Sequence, residues 1–495
     1  VSYLLSGVSG SQLSGVPMPN KIEVTRREFV KNMTLAGSMA ALVPTLQLPP
    51  PGMTQEGLRQ AGRGDWVRFG YNLHNTRFNS VEDQLGKSNV ARLKVKWKFE
   101  TDAPIQTTPT VVGDTLFFGT LSGYQYALES ATGKEKWRFF AGYSPDPAAG
   151  NQGVRSSAQY EDGRLYFGTG LAQVHCLDAA TGEEIWHTQL DDDPFRNRAQ
   201  IFCSVAAHRG RLFVGTSSSQ AQAVCLDAAT GQVRWRFYVV DKSREGGGSI
   251  WTSPAIDETA NIVYFATGSL KSYMPPDPML FSESMLAFDA DTGEMIWYDQ
   301  VRAADAFDLD FSCHPMIFDA VHPVQQGEVR KCVVAASKAG VYCFNRYTGR
   351  RYWKAMLTSA SPSSGPILNS TAVAYNRILV VSNAAPVRGR SAMSVTAALH
   401  AYTGDIMWWI ANPAYVRGPV AVANEVFYQG LANGMLEAVD VKSGEQLWSY
   451  QFPGMLRGGM AISKGTLYTS TGDTLGWRPG GDKRYAVYAF SPDDQ

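Results

Sequence analysis

Along most of the chain, short polar–apolar alternations such as RLYFGTG (Arg164–Gly170) lead to a second apolar run, a Thr-Gly or Ser-Gly pair, and a third run carrying tryptophan. Alternation with period two predicts half-buried strands, and the glycine supplies the positive-φ position of a tight hairpin. The pattern recurs as YALESATGKEKW, HCLDAATGEEIW, VCLDAATGQVRW, LAFDADTGEMIW, YCFNRYTGRRYW, LHAYTGDIMW and EAVDVKSGEQLW, ending on Trp137, Trp186, Trp235, Trp297, Trp353, Trp408 and Trp448. Trp97 in LKVKWKFE opens the series without its partner half, and that half reappears at the far end as YAVYAFSPD. From Trp97 onward the tryptophans are spaced by 40, 49, 49, 62, 56, 55 and 40 residues, one propeller blade each. A lone blade cannot bury both faces, whereas a ring of blades can, and splitting one blade between the two ends ties the ring shut. An open solenoid would not need that exchange of halves. The expected fold is therefore an all-β, eight-bladed β-propeller. Asp178, Asp227 and Asp289, shortly before the turn glycine, are expected to bond turn amides.

Composition agrees, with 44% hydrophobic and 12% aromatic residues, and it excludes global disorder. The 45 basic residues balance 45 acidic ones, so no electrostatic footprint for nucleic acid is present and no nucleic-acid role is expected.

Ahead of the repeats, TRREFVK (Thr25–Lys31) precedes an uncharged stretch, 32–43, and the prolines Pro49, Pro50 and Pro51. Twelve residues rise about 18 Å, too little for a bilayer core of about 30 Å, so no transmembrane anchor is expected. Arg26 and Arg27 with Phe29 resemble a twin-arginine export signal. The expected organisation is an upstream or disordered segment 1–17 before Met18, a twin-arginine signal peptide 18–50, a linker 51–63 and the propeller 64–495, in a periplasmic or otherwise exported protein.

GDWVRFGYNLHNTRFNS (Gly64–Ser80) before NVARLKVKWKF, together with GVRSSAQY (Gly153–Tyr160), GGGSIWTSPAID (Gly246–Asp257), DLDFSCHPMIFD (Asp308–Asp319) and SKAGVYCFNRYTG (Ser337–Gly349), resembles the quinoprotein dehydrogenases. These are propellers that hold pyrroloquinoline quinone (PQQ) and a calcium ion. Within them the resemblance is closest to the polyvinyl alcohol dehydrogenase branch. It implies that Arg155 and Lys338 contact the quinone and its acids and that Trp251 stacks beneath it. The chemistry agrees, since a planar tricarboxylate needs cations and an aromatic floor. Asp308 or Asp310 would be the base that takes the alcohol proton, Asp308 by its place in the motif. The alternatives are a blade-packing Trp251, cross-channel ion pairs for Arg155 and Lys338, and a solvated face for the two aspartates.

The chain also departs from that family. Ser269 follows YFATG where the family places a calcium-binding Asn. Where the Glu belongs, VGTSSSQAQ offers Ser217, Ser218, Ser219 and Gln220. With Asp308 the remaining ligand, a full calcium site is not expected. Cys176, Cys203, Cys225, Cys313, Cys332 and Cys343 include no adjacent pair, and no CxxCH haem c attachment occurs. Electrons would thus pass to a separate acceptor. His175, His187, His208, His314 and His400 fall singly, without zinc-type spacing, and His314 reads as structural. Two functions of different class remain: a PQQ-dependent alcohol dehydrogenase, and a cofactor-free propeller serving as a protein-binding scaffold in the cell envelope. Convergence of Arg155, Trp251, Lys338 and Asp308 on the channel distinguishes them.

Overall fold

The computed structural model describes residues 61–143, 153–191, 199–218, 221–240, 248–269, 280–303, 309–325, 327–357, 371–387, 390–472 and 484–492. The expected export signal, Asp308, Gln220 and the loop 358–370 lie outside these residues.

Eight blades of four antiparallel strands follow one another among the described residues, and Phe78–Asn79 adds a fifth strand, in parallel, to the inner edge of blade 7. Blade 1 is built from Thr110–Val112, Thr115–Gly119, Tyr124–Glu129 and Glu135–Phe140. Blade 2 comprises Gln159–Glu161, Arg164–Gly168, Gln173–Asp178 and Glu184–Gln189. Blades 3 to 7 start at Ala206, Ala255, Met316, Ala372 and Ala421 and repeat the plan. In blade 8, Ala461–Ser463, Thr466–Ser470 and Tyr485–Ser491 are completed by Lys94–Thr101, which pairs antiparallel with Tyr485–Ser491. The closure of the ring by exchanged halves is thus observed. The first strands of neighbouring blades touch at seven of the eight junctions, including blade 8 against blade 1, so they line the axis and the tryptophan strands lie outermost.

The turn glycines and the tryptophans interlock. Gly182 has φ +77°, and a Cβ there would lie 2.6 Å from the Trp137 ring of the preceding blade. Trp137 also donates its indole N–H to Ala179 O of blade 2 at 3.1 Å. The same pairing joins Trp97 to Gly133, Trp186 to Gly231, Trp235 to Gly293, Trp297 to Gly349, Trp353 to Gly404 and Trp408 to Gly444. Only glycine satisfies both the backbone angle and the contact. As expected, Asp178 Oδ1 accepts the amides of Ala180 and Thr181, and Asp227 and Asp289 do the same in their turns. The hydrophobic core is divided among the interfaces between neighbouring blades, as in the cluster joining Phe117 of blade 1 to Phe167 of blade 2. All six cysteines are buried and none is joined in a disulfide.

The lead-in Gly64–Ser80 is a plug. Its backbone bonds to the innermost strand of blade 1 (Trp66 N to Val111 O), blade 2 (Tyr160 N to Val67 O), blade 4 (Ile256 N to Leu73 O), blade 5 (Ile317 N to His74 O), blade 6 (Val373 N to Thr76 O) and blade 7 (Val422 N to Arg77 O). Asn79 reaches Ile462 O of blade 8 at 2.8 Å. A segment bonded to strands all around the ring must cross its axis, and it closes one end of the channel. Asn75, in the left-handed region that Asn tolerates (φ 56°), donates to the carbonyls of Ser253, Pro254 and Pro315. Arg77 is fully buried, donates to Val420 O and lies 4.5 Å from the Phe69 ring centre. Burial pulls its guanidinium down to about 9.

Candidate functional site

On the axis, above the plug residue Phe69, lies a cavity of about 450 Å³. That volume is within the range that holds cofactor-sized ligands. Its wall follows from the repeat. The position four residues before the innermost strand faces the cavity in every blade where it is described: Gln106, Arg155, Phe202, Trp251, Ser312, Arg417 and Arg457, for blades 1 to 5, 7 and 8. The position two residues before the strand forms a chain of hydrogen bonds from blade to blade. Thr108 N–H donates to Ser157 Oγ at 2.8 Å, Ser157 N–H to Ser204 Oγ at 2.9 Å, and Ser204 N–H to Ser253 Oγ at 2.7 Å. Ser253 N–H donates to His314 Nδ1, so the histidine takes the serine's place in blade 5. The structural role expected for His314 is what its position gives it. Complete burial and the nearby Arg77 guanidinium pull its imidazole down to about 3, and it is neutral with its proton on Nε2.

Three of the sequence-predicted site residues meet directly. Lys338 Nζ lies 2.7 Å from Asp310 Oδ1, and Trp251 Nε1–H donates to Asp310 Oδ2 at 3.0 Å. The Lys338 amide also bonds to Asp310 O at 2.9 Å. Gly268 packs against the group so closely that a Cβ would fall 2.0 Å from Ser249 Oγ and 2.8 Å from Asp310 Oδ2. Trp251 is therefore not a blade-packing tryptophan, and Asp310, 4% exposed, is not on a solvated face. Arg155 enters from blade 2, with its guanidinium 5.0 Å from the Phe202 ring centre. Burial first, and the like charge of Arg457 second, pull it down to about 10. Ser269 is partly exposed and is not part of the cavity wall.

Arg417 and Arg457 are cavity residues that the motifs did not single out. Their signal was the repeat itself, because VRSS, VRGP and LRGG place Arg155, Arg417 and Arg457 at one repeat position. The wall therefore carries three arginines and Lys338 against Asp310, the one carboxylate among its described residues. Ser217 Oγ is buried in the wall with no hydrogen-bond partner. The three arginines, Lys338, the Trp251 indole and the unsatisfied Ser217 hydroxyl fit a planar polycarboxylate such as PQQ. They do not fit calcium, which takes 6–8 oxygen ligands, because Asp310 is already engaged by Lys338 and Trp251.

Comparison with known proteins agrees with this architecture. The family model "Glucose/ethanol/alcohol dehydrogenase, beta-propeller domain" matches residues 240–368, and the model "Outer membrane protein assembly factor BamB" matches residues 79–200. The chain is 27% identical to a polyvinylalcohol dehydrogenase of Pseudomonas sp over 450 residues, covering 78% of this chain and 67% of that protein. It is 24% identical to the polyvinylalcohol dehydrogenase of Sphingopyxis sp. (strain 113P3), covering 82% and 72%. The quinohemoprotein alcohol dehydrogenase ADHIIG of Pseudomonas putida HK5 superimposes with a TM-score of 0.76 at 19% identity, covering 88% of this chain and 81% of that one. Repeats, ring closure and these matches together show an eight-bladed β-propeller that is similar in sequence and fold to the quinoprotein alcohol dehydrogenases.

Proposed function

We propose that the chain is a PQQ-dependent alcohol dehydrogenase, exported by the twin-arginine route to the periplasm, that passes its electrons to a separate acceptor. The observation that carries this reading is the cationic cavity beside Trp251, which Arg155, Arg417, Arg457 and Lys338 line together with Asp310. Arg155, Arg417 and Arg457 would hold the three acids, Trp251 the ring plane, and Lys338 a ring oxygen. When bound, the quinone supplies a two-electron acceptor for the hydride of the alcohol carbon. Lys338 and the Trp251 indole fix Asp310, whose role is positioning. Asp308, two residues away, is the base assigned to take the hydroxyl proton. The plug denies water entry from its end of the channel.

Titration of the metal-free protein with PQQ, with and without calcium, followed by tryptophan fluorescence, tests the proposal. Saturable quenching that is lost in Trp251→Ala, and dye-linked oxidation of primary or secondary alcohols by the loaded protein, are expected. Absence of binding in both conditions overturns it. That outcome would favour a second reading, a protein-binding scaffold, for which the assembly-factor match over residues 79–200 is the specific support.

A further inference from the structure

Away from the axis, on the two outer strands of blade 2, lies a cluster with a different chemistry. His175 Nδ1 is 2.7 Å and His187 Nδ1 is 3.2 Å from the same oxygen, Glu184 Oε1, and all three atoms lie within 4.8 Å of one another. Residues 184 and 187 of a regular strand would face opposite sides. Here the ladder slips between Glu184 and Trp186, which returns both side chains to one face, and His187 stands directly opposite His175. The linear spacing hid the cluster because its histidines come from two strands joined by a hairpin.

The repeat provides an internal control. All the blades carry the slip, but the three equivalent positions hold Tyr126, Glu135 and Arg138 in blade 1, and Val224, Val233 and Arg236 in blade 3. In blade 1 the cation beside the glutamate is Arg138, 3.7 Å from Glu135. Blade 2 keeps the carboxylate and replaces the arginine with an imidazole, adding a second from the neighbouring strand. His175 is held rigid, stacked on Phe167 at 5.3 Å and edge-on to Phe139 at 5.8 Å. Burial lowers its pKa below the ordinary imidazole value, so the ring is neutral with its proton on Nδ1 toward Glu184, and a metal ion would displace that proton. Its Nε2 is buried without a hydrogen-bond partner, so its polar contact is through Nδ1, toward Glu184.

We propose that His175, Glu184 and His187 form a binding site for a divalent transition-metal ion of the zinc class, with its open positions taken by water on the exposed His187 side. Two imidazole nitrogens and one carboxylate oxygen are the ligand types such ions choose over calcium or magnesium. Bonds of about 2.0–2.1 Å put neighbouring ligands roughly 2.9–3.4 Å apart. The observed 2.7 and 3.2 Å to Glu184 lie close to that spacing, and the two imidazole nitrogens, within 4.8 Å of one another, would close on the ion by rotation of the exposed His187. The ion would staple the two outer strands of the blade and replace the charge that Arg138 supplies next door. The site is independent of the quinone cavity and of the function proposed for it.

The test uses the full chain with any affinity tag removed, titrated calorimetrically with zinc chloride, and Cu²⁺ electron paramagnetic resonance as a second readout. One Zn²⁺ per chain with a Kd below about 100 µM is expected. His187→Ala, on the exposed side, and Glu184→Gln should each weaken it at least about ten-fold, because loss of a ligand exceeds loss of an outer-shell partner. His400→Ala, outside the cluster, should leave it unchanged, and the Cu²⁺ spectrum should carry nitrogen coupling that His187→Ala reduces. Circular dichroism of metal-free His187→Ala matching the parent would show that the variant is folded. Sub-stoichiometric binding, equal affinity in His187→Ala, or a spectrum without nitrogen coupling would each overturn the assignment.

Discussion

Replacing Lys338 by methionine tests the central group most directly. The side chains of Lys338 and Asp310 are 9% and 6% exposed with their charges 2.7 Å apart, so neither ion has much water to fall back on. At an effective dielectric of about 20 the gross attraction is about 6 kcal/mol, most of it offset by the desolvation of both ions. Removing the lysine leaves a buried carboxylate that keeps the Trp251 indole but loses its counter-ion, and such uncompensated charges cost about 3–5 kcal/mol. Asp310→Asn keeps an acceptor for Trp251 and strands the lysine instead, at a similar cost. In the double variant Lys338→Met/Asp310→Asn no buried charge remains, and its stability should return to within about 1–2 kcal/mol of the parent. The four proteins, free of cofactor, are compared by guanidinium denaturation read with tryptophan fluorescence and far-ultraviolet circular dichroism. A coupling energy of about 3 kcal/mol or more is expected. Single variants within about 1 kcal/mol of the parent, or a double variant showing the sum of the two losses, would mean that the pair is solvated like a surface ion pair and would refute the burial argument.

Two further outcomes follow from the ring. Gly182→Ala forces a Cβ to within 2.6 Å of the Trp137 ring at a φ of +77°, and a loss of about 1–3 kcal/mol is expected from the same denaturation experiment. A neutral effect would mean that the turn glycines are not needed for the interlock. His314 sits at about 3 in the folded protein against an ordinary 6.5, so the unfolded chain takes up a proton there that the folded one refuses. Stability present above pH 6.5 is then lost as the pH falls toward 3, by up to about 1.4 kcal/mol per unit. His314→Ser, which restores the residue type of blades 2 to 4, should flatten that acid-side decline, and an unchanged slope between pH 6.5 and 4 would contradict it.

The fold was legible because its signals are local and repeated. A Thr-Gly or Ser-Gly pair five residues before a tryptophan fixes a turn and an outer strand at once, and the split blade announced closure without any long-range information. Arg155, Trp251, Lys338 and Asp310, one of the two candidate bases, were found through longer motifs and do line the cavity, whereas the other candidate, Asp308, lies outside the described residues. Arg417 and Arg457 escaped because each sits in a segment of two or three ordinary residues, and only aligning the repeats on their innermost strands brings them into register. The plug was read as a lead-in: nothing in Gly64–Ser80 alone says that its carbonyls and amides will be shared among seven blades, since that pairing exists only once the ring has formed. The histidine–glutamate cluster was hidden for the same reason, being a product of strand register and of the slip beside Trp186.

A ring of near-identical blades imposes nearly the same backbone at every repeat position, so specificity must lie where the side chains at one position differ. At the cavity-facing position the difference is directional. Blades 7, 8 and 2 contribute arginines on one side of the axis, while blades 3 and 4 contribute Phe202 and Trp251, and blade 5 brings Asp310 and Lys338 up to the indole. Burial first, and the like charge of Arg457 second, lower the pKa of Arg155, so a cofactor-free structural channel would gain nothing from collecting like charges on one side. A polycarboxylate placed against that side would convert the repulsion into shared attraction, and its ring would then extend toward Trp251. The gathering of Arg155, Arg417 and Arg457 on one side thus supports the anion site proposed above. By the same reasoning, relief of that repulsion in Arg457→Gln should stabilise the ligand-free protein while weakening its hold on a tricarboxylate. That opposition between stability and binding is what distinguishes a binding site from a scaffold's pore.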